Sequence, residues 1–373
     1  MKLRTLKDAG SLENKRVLLR AELNVPVESG RVLDLFRLRA ALPTLHELVK
    51  AGARTTVVAH LGRKGESLMH LADILRRELP LTFIRDVVGE EAKAAAAALS
   101  PGQVLLLEDV RTMPGEEENS ESFAKELASF GDCFVNDAFS VSHRAHASIV
   151  GVPKFLPSYA GLQLVKEVAE LENALKPKSP SLCIIGGAKF ETKGPLIEKF
   201  LDDYDQIFIG GAIANDVFRA QGLSVGTSLV SKEHYDFSSL TKHPKIILPV
   251  DVVVSGTKIS IKKPTEIEAH ECVNDVGPQT IVEVAKIIQK ASFILWNGPM
   301  GNYEHGFNTQ TESLARAIAR SGAYSVVGGG DTVAAIAKLE LEDRFSFVST
   351  GGGAMLEFLE KGTLPGLEPL KIQ

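Results

Sequence analysis

Short, unbroken apolar runs alternate with longer amphipathic stretches along the whole chain, and that alternation leaves few folds open. VLLR, TTVVA, VLLLE and CFVN in the first half are apolar almost without interruption, as are LCII, IFI, FILW, YSVV and FSFV in the second. Continuous apolarity marks strands covered by helices on both faces, whereas one-sided strands alternate. The repeated strand–helix pattern predicts an α/β protein with mainly parallel sheet. A chain of 373 residues exceeds what one hydrophobic core supports, so two domains are expected.

Strands are expected near residues 17–21, 55–59, 104–108 and 133–136, then 182–185, 207–209, 246–250, 293–296, 324–327 and 345–348. Helices are expected at 37–51, 67–79, 90–99, 120–130, 193–202, 212–221, 278–290, 308–321, 331–338 and 354–360. Ser120 suits a helix N-cap, and Gly52 and Gly131 suit C-caps. The amphipathic stretch from Ser158 to Leu175, followed by KPKSP, has the composition of an interdomain connector. The tail after Gly362 has two prolines and no helical period, so it is expected to run extended over a neighbouring surface.

Net charge of −5 argues against a dedicated nucleic-acid binder. Cys133, Cys183 and Cys272 are odd in number and far apart, the first two in strand-like runs, which suggests buried thiols in a reducing compartment. The start MKLRTLKDAG lacks a signal-peptide h-region, and no run of about eighteen apolar residues could span a bilayer. A cytoplasmic location away from membranes is the expectation.

Ligands of open parallel sheets bind beyond the carboxyl ends of the strands, so the loops there carry the chemistry. In the first half those loops hold Arg37, His60, Arg63, Arg111, His143 and Arg144. Several guanidinium groups at successive strand ends converge, and their forks match carboxylate and phosphate. His143 and His146 lack ligand partners at metal spacing. The second half has glycine turns instead: GGAK, GGA, NGP, GGGDT and GGGA. They bring backbone N–H groups and helix N-termini close to phosphates. Neither a GxxxxGK[ST] loop nor a GxGxxG after the first strand is present, so these turns bind phosphate in another way. Asp331 in GGGDT reads either as an N-cap or, beside a phosphate, as a magnesium ligand. Lys189 and Lys193 lie four apart and could straddle a polyphosphate, two solvated lysines being the plainer alternative. An anion site paired with a nucleotide-like site suggests group transfer between two phosphorylated small molecules.

RAELNVP, RLRAALPT, HLGR, EDVR, PGEE, NDAFSVSHRAHAS, GGAK, LPVDVVV, WNGPMG, VGGGDT and STGGGA, in this order over essentially the whole chain, resemble phosphoglycerate kinase. The resemblance implies two doubly wound parallel-sheet (Rossmann-like) domains joined by a hinge helix: residues 1–157 for 3-phosphoglycerate or 1,3-bisphosphoglycerate, 158–176 as the hinge, and 177–361 for ADP or ATP. The tail 362–373 would return to the first domain. Substrate binding would fall to Glu22, Asn24, Arg37, His60, Arg63, Arg111 and Arg144. Nucleotide binding would fall to Gly187, Lys189, Lys193, Gly211, Asn297, Glu304, Gly328, Gly329, Gly330, Asp331, Thr332, Gly351, Gly352 and Gly353. Asp331 would hold Mg2+, and Arg37 and Lys189 would stabilise the transferring phosphoryl group. A monomeric glycolytic kinase follows from the likeness; the alternative is a non-catalytic relative that binds nucleotide or a partner. The chain departs from the family pattern at Glu22, where Asp is usual, at Gly194-Pro195 after GGAKFETK, and at GGAIANDVF.

Overall fold

The apolar runs become strands. In the computed structural model, which describes residues 1–28, 30–62, 66–188, 190–232 and 235–372, the chain divides into Met1–Ala169 with Lys361–Gln373, and Glu170–Glu360. The division falls inside the helix Leu162–Ala174.

The first unit contains β1 (Arg16–Arg20), a short antiparallel hairpin of β2 (Val27–Glu28) and β3 (Arg31–Val32), then β4 (Arg54–Val58), β5 (Leu81–Phe83), β6 (Val104–Leu106), β7 (Cys133–Asn136) and β8 (Ser158–Ala160). Six of them form one parallel sheet in the order β5-β6-β4-β1-β7-β8. β1 is central, with Arg20 opposite Val58 on one side and Asn136 on the other. Leu18 and its neighbour Leu19 pack into separate hydrophobic clusters, so both sheet faces are covered, as unbroken apolarity requires. The tail lies against the same unit: Arg4 N–H donates to Leu370 O (2.7 Å) and Gly366 N–H to Ser142 O (2.8 Å). It is not wholly extended, since Glu368–Leu370 makes a 3-10 turn.

The second unit contains β9 (Ser181–Ile185), β10 (Gln206–Ile209), β11 (Ile246–Ile247), β12 (Val252–Ser255), β13 (Ile259–Lys262), β14 (Cys272–Val276), β15 (Phe293–Asn297), β16 (Tyr324–Gly328) and β17 (Phe347–Val348). A parallel sheet runs β11-β10-β9-β15-β16-β17, and a separate antiparallel sheet runs β13-β12-β14.

The structure corrects several expectations. Ser158–Ala160 belongs to a strand, not to the connecting helix, because Phe134 N–H donates to Pro157 O (2.9 Å) and the segment pairs with β7. Ser120 makes no side-chain cap; its hydroxyl bonds Ser122 Oγ instead (2.9 Å). Gly52 does adopt a left-handed conformation (φ +70), but Gly131 is glycine for space, since a Cβ there would lie 2.7 Å from Cys133 O. The helix expected from residue 193 begins a turn earlier and runs Phe190–Asp203 straight through Gly194-Pro195. A Cβ on Gly194 would sit 2.5 Å from the Phe190 ring, so this glycine admits the aromatic cluster of Phe190, Tyr235 and Phe237.

Candidate functional site

The central strands of the first unit end side by side, and their loops assemble a network of charged groups. Arg20 closes β1 fully buried. Its Nε donates to Ser148 Oγ (2.9 Å), Nη1 to Ala21 O (2.8 Å) and Nη2 meets His60 Nδ1 (3.0 Å). A guanidinium only donates, so His60 Nδ1 accepts and the ring proton sits on Nε2. Burial, with the charges of Arg20, Arg111, Arg144 and Arg37, holds His60 neutral far below its ordinary range. Glu116, itself buried, accepts from Ser148 N–H (2.9 Å) and Oγ (2.6 Å) and supplies countercharge to Arg20.

Asp109 locks two loops together, accepting from Leu61 N–H (2.6 Å) and Arg111 N–H (2.7 Å). Asn24 links them to β1: its Oδ1 accepts from Gly62 N–H (2.9 Å), while its carbonyl accepts from Arg37 Nη1 (2.7 Å). Glu22 is 1 % exposed. One carboxylate oxygen accepts from Asn24 N–H (3.2 Å) and the other from the Ser140 hydroxyl. Burial pushes its pKa up, against the pull of Arg37 and Arg20.

Arg111 is the least satisfied member of this network among the described residues. Its side chain is 5 % exposed and Nη1 donates to Gly62 O (2.7 Å). Nε and Nη2 have no hydrogen-bond partner among the described residues, Glu117 standing 3.7 Å away. Burial and the charges of Arg144 and Arg20 press its pKa down. Crowded, buried guanidinium groups with unmet donors are relieved by an anion. Arg144 is exposed just beyond Val141. Arg63 lies outside the described residues.

The second unit holds a cavity of about 630 Å³. Four helices begin at its wall: Phe190–Asp203, Gly211–Ala220, Gly330–Lys338 and Gly353–Lys361. The dipoles of their N-terminal ends favour negative charge there. Glycine is required where strand ends cross. A Cβ on Gly211 (φ +60) would lie 2.4 Å from Gly187 N, and Gly329, at φ +99, is the N-cap of its helix. Lys193 is buried with Nζ 2.5 Å from Gly186 O, and desolvation lowers its pKa to about 8 despite the nearby Asp331.

Gly187, Lys193, Gly211, Asn297, Glu304, Gly329, Gly330, Asp331, Gly352 and Gly353 all line this cavity. Gly328, Thr332 and Gly351 do not. Thr332 accepts from Gly298 N–H (3.0 Å), and Gly328 makes room for Met355. Lys189 lies outside the described residues. Asp331 occupies the second helical position, so the N-cap reading does not describe it. Burial and Glu304 raise its pKa, and Lys193 lowers it. The remaining wall was not foreseen: Phe218, Leu229, Val252, Val273 and Val276 give it an apolar side, much of it from the antiparallel sheet.

Arg20, Asp109, Glu116 and Ser140 were also not singled out from the sequence. Asp109 sits inside the EDVR motif, so a search for acceptors beside the arginines could have found it.

The phosphoglycerate kinase family model matches residues 6–362. Phosphoglycerate kinase of Moorella thermoacetica is 44% identical over 388 residues, covering 98% of both chains. That of Thermus thermophilus is 44% identical over 99% of this chain and 100% of its own. The solved phosphoglycerate kinase structure from Coxiella burnetii superposes with a TM-score of 0.83 at 39% identity, covering 99% of this chain and 98% of the other. The structure from Pyrococcus horikoshii gives a TM-score of 0.86 at 30% identity, with the same coverage. These likenesses place the chain in the phosphoglycerate kinase family.

Proposed function

We propose that this chain transfers a phosphoryl group reversibly between 1,3-bisphosphoglycerate and ADP, giving 3-phosphoglycerate and ATP. The observation that carries the reading is the second-unit cavity, where four helix N-termini and Lys193 stand beside an apolar wall. Polyphosphate fits the first part and a nucleobase the second. The arginine network of the first unit supplies the partner site for a phosphorylated carboxylate. Arg37 and Arg111 hold the substrate's anionic oxygens, and neutral His60 offers its Nε2 proton as a donor. Glu22 and Asn24 orient the substrate hydroxyl. Lys189 and Arg37 stabilise charge on the transferring oxygens, so transfer proceeds directly, without a covalent intermediate. A non-catalytic binding role is the weaker reading, because Arg37 and Lys189 are both retained.

Asp331 lines the cavity, and its carboxylate is a hard oxygen donor that would suit Mg2+. Burial and the Glu304 charge disfavour ionisation of Asp331, a cost that a cation offsets. Held there, Mg2+ would neutralise charge on the nucleotide's phosphates.

Incubation with ATP, 3-phosphoglycerate and hydroxylamine should accumulate a hydroxamate, since hydroxylamine traps the acyl phosphate. Absence of hydroxamate, or γ-phosphate retained on the protein, would overturn the reading.

Lys193 adds a pH dependence. With a pKa near 8, the ammonium is present at neutral pH and is lost as pH rises through that value. ADP affinity should therefore weaken between roughly pH 7 and 9.5, following one titrating lysine. Calorimetric titration of wild type and Lys193→Met checks this. The variant should bind more weakly at pH 7 and lose the dependence; a parallel pH profile in both proteins would exclude Lys193.

A further inference from the structure

We propose that Ser140 is a positioning residue of the substrate site: its hydroxyl fixes the Glu22 carboxylate in the orientation that receives the substrate hydroxyl. This rests on the functional reading above and deepens it. β1 and β7 are adjacent and parallel, with Arg20 opposite Asn136, so the loops that follow them emerge side by side. Glu22 stands two residues past the end of β1 and Ser140 four past the end of β7. The turn on either side of Ser140 is pinned. Asn136 Oδ1 accepts from Ala138 N–H (3.0 Å), its Nδ2 donates to Ser142 Oγ (3.2 Å), and Ser142 Oγ donates to Ala138 O (2.9 Å). The donor therefore sits on a pinned turn.

Glu22 needs such an anchor. Its side chain has three rotatable bonds, and the Asn24 N–H bond at 3.2 Å restrains only one carboxylate oxygen. The Ser140 hydroxyl donates to the other. With both oxygens held, each keeps a further lone pair for an incoming hydroxyl. The restraint also extends along the chain of bonds already described, because Asn24 receives Arg37 and Gly62, and Gly62 receives Arg111. Aspartate at position 22 would be one methylene short of this donor, so the longer carboxylate and the Ser140 hydroxyl work as a pair.

The test is a double-mutant cycle on the whole chain, with kcat and the KM values for 3-phosphoglycerate and ATP measured for wild type, Ser140→Ala, Ser140→Thr, Glu22→Asp and Ser140→Ala/Glu22→Asp. Ser140→Ala should raise the KM for 3-phosphoglycerate by about tenfold, the scale of one hydrogen bond to a charged group, and leave kcat and the KM for ATP near wild type. Ser140→Thr, which keeps the hydroxyl, should restore most of the loss. The double variant should resemble Glu22→Asp alone, because a shortened carboxylate no longer meets the hydroxyl. An unchanged KM in Ser140→Ala, or two effects that simply add, would overturn the role of Ser140 and leave the kinase reading standing. A wild-type chain that neither binds nor turns over 3-phosphoglycerate would bring both down.

Discussion

Arg37→Ala is expected to lower kcat by about a thousandfold, the lower end of the effect of a guanidinium on transferring phosphoryl charge. Its melting temperature should fall by only about 2–4 °C, the response to the loss of about 1 kcal/mol in a domain of this size. The asymmetry follows from where Arg37 sits. It is the second residue of the helix Phe36–Lys50, only half-buried, and its Nη1 donates to Asn24 O (2.7 Å). One such bond gives modest stability, whereas charge on the reacting oxygens is met in full only at the transition state. Steady-state kinetics with differential scanning calorimetry separates the two effects. Near-normal kcat would remove Arg37 from the phosphoryl path, and a collapse in melting temperature would make it structural.

Asp331→Ala should weaken magnesium-dependent ADP binding by about a hundredfold, or about 3 kcal/mol for loss of one charged ligand group. The apo fold should be nearly unaffected. A simple N-cap would behave in the opposite way, costing about 1 kcal/mol of stability with normal binding. The geometry already favours the first outcome, because Gly329 occupies the N-cap position and Asp331, the second residue of the helix, lines the cavity. Calorimetric titration with ADP in the presence and absence of Mg2+ tests the assignment. Equal affinities for variant and wild type in Mg2+ would contradict it.

The parallel sheets were legible because strands covered on both faces must be apolar at every position, as FILW and LCII are. The antiparallel sheet was not, because it obeys a different rule. β13 reads ISIK, with Ile259 and Ile261 exposed and alternating with less exposed Ser260 and Lys262, a pattern hidden to a search for unbroken runs. With its sheet partners β12 and β14 also unread, the part of the cavity's apolar wall formed by Val252, Val273 and Val276 stayed out of view. β5 and β8, three residues each, are too short to carry a period of their own and exist through pairing with β6 and β7. In the charged network of the first unit, Arg111 and Arg144 could be singled out from the loops that follow β6 and β7. Arg20 was not, because a charge at the end of VLLR reads as the edge of a strand. Its burial depends on Ser148 and His60, which are 128 and 40 residues away. Ser140 escaped for the same reason: its partner Glu22 is 118 residues distant.

In the proposed reaction the phosphoryl group passes directly between ATP and 3-phosphoglycerate on this one chain. Coupled ATP-consumption kinetics with and without 3-phosphoglycerate tests that most directly. ATP should be consumed only when both 3-phosphoglycerate and Mg2+ are present, and the activity should disappear in Arg37→Ala and in Asp331→Ala alike. A folded wild-type chain that binds ADP yet consumes no ATP on addition of 3-phosphoglycerate, or consumes it equally without that substrate, would contradict the account.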